Sequence, residues 1–327
     1  MTTAQRRKLF VDTYERVPVF LLQGSVGERI KRNYTHKPPE MPLRLAGLYY
    51  SELGRRGLED SFRDYIHIAR DYDLPLIIHP YTYTLRPEQR KGLFCGDRDV
   101  TADNLNHCRA LVEECPEIRD QVFIGTTMSF TGDAYKPETG LEEEAAYQHH
   151  RVHAQSLEHS LIDHVRTGLT PALPEAAGCA RALSETTIPY FVSFLVRKDG
   201  KLMDGTWLHD AIGYIDDKTA DNPPLFYQVN CVHPRNLRLC LDRSENRTAR
   251  VRTRFKGLEG NGSDLSPEEL DNSPVIRTSP PDEWAEEMMA MHADFGLKVL
   301  GGCCGTDHDH LNELAARIRA EYDKYKL

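Results

Sequence analysis

Short apolar runs alternate with amphipathic stretches along the whole chain, the pattern of β–α units wrapped around a parallel sheet. The runs are Val19–Gly24, Leu74–Tyr81, Val122–Met128, Leu161–Thr167, Ile188–Val196, Leu225–Val232, Val251–Leu258 and Leu297–Cys304. Most are nearly continuously apolar, as strands buried on both faces must be. The seventh, Val251-Arg-Thr-Arg-Phe-Lys-Gly-Leu, is the most polar. Between the last two runs, Ser279-Pro280-Pro281-Asp282 supplies a cap residue, first-turn prolines and an early acid. Trp284, Met288, Met291 and Phe295 then share one helical face, and Gly296 stops the helix. A last helix is predicted to open at Thr306, with Asp309 three residues on, and to bury Leu311, Leu314, Ala315 and Ile318. Eight strands alternating with helices predict an α/β fold, a single-domain (β/α)₈ TIM barrel over residues 1–327. The polar stretches Lys31–Arg44 and Gly260–Pro280 read as β–α loops or lids.

Composition narrows the function. A formal charge of −9 argues against a nucleic-acid surface, which needs a basic stripe. No apolar run approaches the roughly 20 residues that cross a bilayer. The opening Met1-Thr-Thr-Ala-Gln-Arg-Arg-Lys lacks a signal-peptide core and reads as a solvated N-terminal cap. Eight cysteines without regular spacing suit a reducing compartment, so the expected location is cytoplasmic.

Three of those cysteines stand apart. Gln228-Val229-Asn230-Cys231-Val232-His233-Pro234 and Lys298-Val299-Leu300-Gly301-Gly302-Cys303-Cys304-Gly305-Thr306 are both strand-like runs that end on cysteine and enter a turn. Three thiolates at strand ends make most of a tetrahedral zinc site with its fourth position open, the arrangement of a catalytic zinc. Adjacent cysteines normally point opposite ways on a strand, so Gly301, Gly302 and Gly305 are expected to supply a bend. Cys95, Cys108, Cys115, Cys179 and Cys240 read as core thiols. His149 and His153 have helical i,i+4 spacing without the glutamate of an HExxH site and read as solvated or loop-lining histidines, and His308 and His310 follow the cysteine motif closely. His310 belongs to the last helix. His79, at the end of the second strand, is a candidate for substrate contact.

The pairing of NC-x-x-P with GGCCGT resembles the homocysteine S-methyltransferase family, which includes betaine–homocysteine methyltransferases and the thiol-activating module of cobalamin-dependent methionine synthase. The resemblance implies Zn²⁺ held by Cys231, Cys303 and Cys304, a zinc-bound thiol, and methyl transfer from a sulfonium or quaternary ammonium donor. It extends to Ile188–Phe194, Asp204-Gly205-Thr206 and Gly260-Asn261-Gly262-Ser263, and so covers nearly the whole chain. Substrate-binding candidates are Gln23, Gly24, His79, Tyr81, Thr167 and Asn230. Tyr49, Tyr50, Tyr81 and Tyr83 are candidates for aromatic walls around a cationic donor.

Two positions depart from the family. Its first strand usually reads LDGG-x-G, where this chain has Leu22-Gln23-Gly24-Ser25-Val26-Gly27. Its fourth usually ends in Glu-Thr-x-Pro, and here the glutamate position falls on or beside Gly168. Both family carboxylates hold the substrate ammonium. Their absence points to a thiol acceptor other than homocysteine, unless a loop acid such as Glu28 or Glu52 replaces them. The partners implied are a small-molecule thiol and a methyl donor, with no nucleic acid and no membrane; a homo-oligomer is compatible with the chain. Two rival functions share the same motifs: a zinc-containing thiol-binding or sensor protein without methyl transfer, and demethylation of methylated onium compounds.

Overall fold

The computed structural model describes residues 1–27, 30, 47–81, 98–265 and 277–325 of the 327-residue chain. Eight parallel strands close into a barrel in chain order, each hydrogen-bonded to the next and the last to the first. They are β1 (Phe20–Leu22), β2 (Leu76–Ile78), β3 (Val122–Ser129), β4 (His164–Gly168), β5 (Tyr190–Phe194), β6 (Tyr227–Val232), β7 (Phe255–Gly260) and β8 (Val299–Gly302). The TIM-barrel expectation is met. The helices that pack outside include α2 (Glu52–Asp71), α3 (Val100–Glu113), α4 (Glu143–Leu157), α5 (Leu173–Ser184), α6 (Leu208–Lys218) and α7 (Pro234–Leu241). The short α8 (Ala249–Arg254), α9 (Pro281–Phe295) and α10 (His308–Tyr325) complete the described ring.

The seventh predicted run splits in two. Its polar half, Val251-Arg-Thr-Arg, lies in α8, capped by the Thr248 side chain, and the strand starts only at Phe255 and runs to Gly260. Helical spacing leaves Arg252 exposed while Val251 is buried and Arg254, half-buried, donates to Asp216 and to the Pro224 carbonyl, which a strand buried on both faces would not allow.

Helix α1 (Thr3–Arg16) closes one end of the barrel. The N-terminal basic run is therefore not a solvated cap: Arg6 and Arg7 are both buried. Arg6 donates to both oxygens of Asp163, and through Nη2 to the Val122 carbonyl at the start of β3. Arg7 reaches the Ile162 and Glu158 carbonyls. Behind them Phe10 stacks on His164 at 4.5 Å. A guanidinium can sit here because carbonyls at the strand starts and one carboxylate take up its donors.

The two C-terminal helices differ from expectation at their starts. α9 begins at Pro281 without a side-chain cap, and Ser279 instead meets His233 Nε2 through its hydroxyl. Trp284, Met288 and Met291 are buried as predicted, and Gly296 ends the helix at φ 70°. For α10 the cap is Asp307, whose Oδ1 accepts from Asp309 N and His310 N; the Thr306 hydroxyl donates to the Cys303 carbonyl.

Candidate active site

A cavity of about 730 Å³ opens where strands pass into loops, at the end of the barrel away from α1. Cys231, Cys303 and Cys304 line one side of it, and their sulfurs lie within 4.8 Å of one another. Among the described residues no other trio of His, Cys, Asp or Glu brings ligand atoms so close.

Two backbone devices assemble the trio. In β6, Asn230 pairs with Glu259 and Val232 with Gly260, so Cys231 is an extra residue, bulged out of the ladder. It takes φ 58°, a left-handed conformation costly for a side chain with Cβ. The bulge lets successive residues, Asn230 and Cys231, both face the cavity, which strand alternation forbids. After β8, Cys303-Cys304-Gly305-Thr306 forms a tight turn closed by Thr306 N on the Cys303 carbonyl. Gly305 has φ 82° at its third position, the place where a type II turn requires glycine. Gly301 and Gly302 are not part of that bend. They lie inside β8, and a Cβ on Gly301 would meet the Leu22 carbonyl oxygen at 2.3 Å, so close packing against β1 is what demands glycine there.

The donor set fits zinc. Tetrahedral coordination at about 2.3 Å per Zn–S bond places sulfurs about 3.8 Å apart, within the spread seen here. Cys231 and Cys303 are paired as a disulfide, with Cα atoms 5.4 Å apart, so metal binding requires that pair reduced; Cys304 lies outside the disulfide and is exposed. The remaining described cysteines are buried elsewhere. Burial pushes the Cys108 and Cys240 thiols up to about 12, and Cys179 higher still, so they stay protonated. Cys95 lies outside the described residues.

The other candidates have varied surroundings. Gln23 lines the cavity, but its Oε1 accepts from His79 N and ties β1 to β2. Gly24 and Tyr81 also line it. His79 faces the cavity and meets His164 Nε2 to Nε2 at 2.9 Å. Burial, helped by the nearby Arg166 charge, holds both imidazoles well below their ordinary range, His164 at about 3, so both are neutral at neutral pH. Asn230 lines the cavity, its Oδ1 accepting from the Ser193 hydroxyl and Leu169 N. Thr167 is turned toward β5, where its hydroxyl accepts from Ser193 N, and is not among the lining residues.

Tyr50 donates to Asp103 and packs edge-on against Tyr49; neither lines the cavity. Glu52 is an exposed residue of α2 paired with Arg56. Tyr83 and Glu28 lie outside the described residues. His149 and His153 sit on α4, but it is their neighbour His150 that is buried, its ring 3.1 Å from Glu175. Glu175 also accepts from Thr131 N and Leu141 N, and so anchors the loop that carries Phe130 and Asp133 into the cavity wall.

The sequence reading missed an ion pair at the cavity floor. Arg166 on β4 and Glu259 on β7 both line the cavity and are paired across the barrel. Arg166 Nε donates to Thr127 Oγ1 at 2.9 Å, and Gln228 Nε2 donates to Glu259 Oε1 at 3.2 Å. Neither family position carries an acid, and Gly168 has little room for one: an added Cβ would meet Thr127 Cγ2 at 2.4 Å. The cavity nonetheless contains a buried carboxylate, Glu259, supplied by β7.

The homocysteine S-methyltransferase family model matches residues 20–318. A 38-residue stretch is 53% identical to methionine synthase of Mycobacterium leprae (strain TN), and one of equal length is 50% identical to methionine synthase of Mycobacterium tuberculosis (strain ATCC 25618 / H37Rv). Each stretch covers 12% of this chain and only 3% of the relative. Crystal structures of the homocysteine methyltransferase MmuM from Escherichia coli share the fold. The metallated form superposes with a TM-score of 0.69 at 17% identity, and the oxidized form with 0.70 at 16%, each over 93% of this chain and 97% of that one. With the family model matching residues 20–318, the chain belongs to the homocysteine S-methyltransferase family.

Proposed function

We propose that the protein is a zinc-dependent thiol S-methyltransferase that moves a methyl group from a sulfonium or quaternary ammonium donor to a small-molecule thiol. The convergence of three cysteine sulfurs on the wall of one cavity carries this reading. Cys231, Cys303 and Cys304 would hold the metal, and zinc bound there would keep an incoming thiol deprotonated at neutral pH and nucleophilic.

The rest falls to the chain. Transfer from an onium centre leaves a neutral donor product, so the protein has no leaving-group proton to supply. It needs to hold donor methyl and acceptor sulfur in line at near-attack distance. Tyr81 and Phe130 offer aromatic faces on the cavity wall for a donor without N–H groups. Asp133 adds a carboxylate on the same wall. The neutral His79–His164 pair beneath adds no positive charge to repel a cation. An acceptor other than homocysteine was expected because the two family acids are missing; Glu259 shifts the ground of that expectation, and acceptor choice turns on its surroundings.

The test is a screen of thiols against reduced, zinc-loaded protein with S-methylmethionine, S-adenosylmethionine, betaines and sulfoniopropionates as donors. Methylated thiol formed only by the zinc-loaded protein is the expected result. Thiol binding without product from any donor would favour a thiol-binding or sensor protein instead.

A further inference from the structure

We infer that Gln23 selects the acceptor by donating hydrogen bonds to a neutral oxygen, a carbonyl or hydroxyl, a few bonds from its thiol. The inference rests on the proposed S-methyltransferase activity and names the class of its acceptor. Gln23 follows β1 directly and is wedged between two strands: its N–H donates to the Ile77 carbonyl of β2, and its carbonyl accepts from Gly302 N at the end of β8. Gly302 immediately precedes Cys303, so Gln23 stands beside the sulfurs on the wall of the same cavity. The orientation of its amide is fixed. His79 N can only donate, so the atom 2.8 Å from it must be the amide oxygen, and the –NH₂ group is turned away from it. Among the described residues nothing accepts from Nε2, and it is not one of the enclosed side-chain atoms left without a partner, so its two N–H donors stay open to the cavity.

The same geometry works against an ammonium at this point. Turning the amide over to offer its oxygen would set –NH₂ against His79 N, donor against donor, and leave that backbone N–H unpaired. Glu259 does not make up for it, because Arg166 already balances its charge and Gln228 Nε2 donates to its Oε1. A carboxylate on the acceptor is opposed by charge instead. With Arg166 and Glu259 cancelling, the other ionisable groups on the described wall are His79, which is neutral, Asp133 and the cysteines, so the cavity is negative once the thiolates form. A neutral oxygen meets the Gln23 donors without either cost. Distance agrees: the residue bonded to Gln23 lies one step, about 3.3 Å of strand rise, before Cys303, which suits an oxygen a few bonds from the bound sulfur.

The experiment is calorimetric titration of reduced, zinc-loaded protein with four thiols of similar size: 3-mercaptopropionamide, propanethiol, cysteamine and 3-mercaptopropionate. The amide should bind roughly three- to tenfold more tightly than propanethiol, the range for one neutral hydrogen bond, and more tightly than either charged thiol. Gln23→Glu keeps an oxygen for His79 N and replaces the donor group with an acceptor. It should retain zinc and reverse the order, so that cysteamine binds more tightly than the amide. Cysteamine or 3-mercaptopropionate binding the unaltered protein as tightly as the amide does would overturn the inference. So would a Gln23→Glu variant that keeps the original order, or one that weakens all four thiols alike, because that is the signature of a structural role. If none of the four binds the zinc-loaded protein, the methyltransferase reading itself falls, and the acceptor assignment with it.

Discussion

The two sides of the cavity are built on different principles. On the β6–β8 side, backbone does the positioning: a bulge turns Cys231 inward, a glycine-dependent turn presents Cys303 and Cys304, and Gly301 lets β8 lie against β1. On the β1–β4 side, side chains hold one another: Gln23 on His79, His79 on His164, Arg166 on Thr127, and Arg166 across to Glu259. The metal proposed for the trio would need ligands placed to a few tenths of an ångström, which backbone hydrogen bonds supply. Selectivity among the proposed thiols would need charge and donors at set depths, and those can change strand by strand without disturbing the trio.

The largest effect should come from the backbone-built side. Cys304→Ser and Cys231→Ser should each lose most of the zinc and at least about 100-fold in methyl transfer, since a serine hydroxyl is a poor replacement for thiolate. Metal analysis of the purified variants decides it; full zinc retention by both would end the site assignment. The barrel should still fold, because the buried apolar core includes Phe20, Leu76, Phe123, Val192 and Leu300 and does not depend on the trio.

What could be read from the sequence follows the same division. NC-x-x-P and GGCCGT are local strings, so the trio that the structure brings together was visible without a fold. The bulge at Cys231 was not, because it depends on register against β7. Glu259 and Arg166 lie far apart in sequence on strands that are not neighbours, and only closure of the barrel brings them together. Arg6 and Arg7 misled for a related reason: two arginines beside a lysine look solvated until the strand starts that accept their hydrogen bonds are known. The polar seventh run was a helix followed by a strand, and one window over both averaged two periods.

A pair of glycines sharpens the comparison at intermediate size. At Gly301 the obstacle to a Cβ is the Leu22 backbone, at 2.3 Å from its oxygen, and it cannot move without shifting β1. At Gly168 it is the Thr127 Cγ2 methyl at 2.4 Å, on a side chain that can rotate. Gly301→Ala should cost about 3 kcal/mol and Gly168→Ala about 1 kcal/mol, the two ends of the overpacking range. Urea denaturation of both variants measures this. Equal costs would mean that the two sides do not differ in rigidity as described.

The smallest effect belongs to Asp307, which starts α10 directly after the cysteine turn. Its Oδ1 accepts from Asp309 N and His310 N and lies 2.7 Å from His310 Nδ1. The His310 hydrogen bond, more than any other influence, lowers the carboxyl from 3.8 to about 2. A carboxyl whose folded pKa is depressed contributes stability that is complete above its unfolded value and is lost as pH falls through the folded one. The window here therefore runs from about 4 down to about 2. The side chain is 33% exposed, so solvent screening limits the contribution to about 1 kcal/mol. Asp307→Asn keeps a capping oxygen and should lose only this pH-dependent part; Asp307→Ala should lose about 1 kcal/mol more, the usual worth of an N-cap. Urea midpoints at pH 7 and pH 3 separate the two contributions. The gap between the unaltered protein and the Asn variant should narrow at pH 3, while the gap between the Asn and Ala variants should not. A gap that widens on acidification would reverse the sign assigned to Asp307 and leave His310 to be explained by packing against Trp284, 5.6 Å away between ring centres.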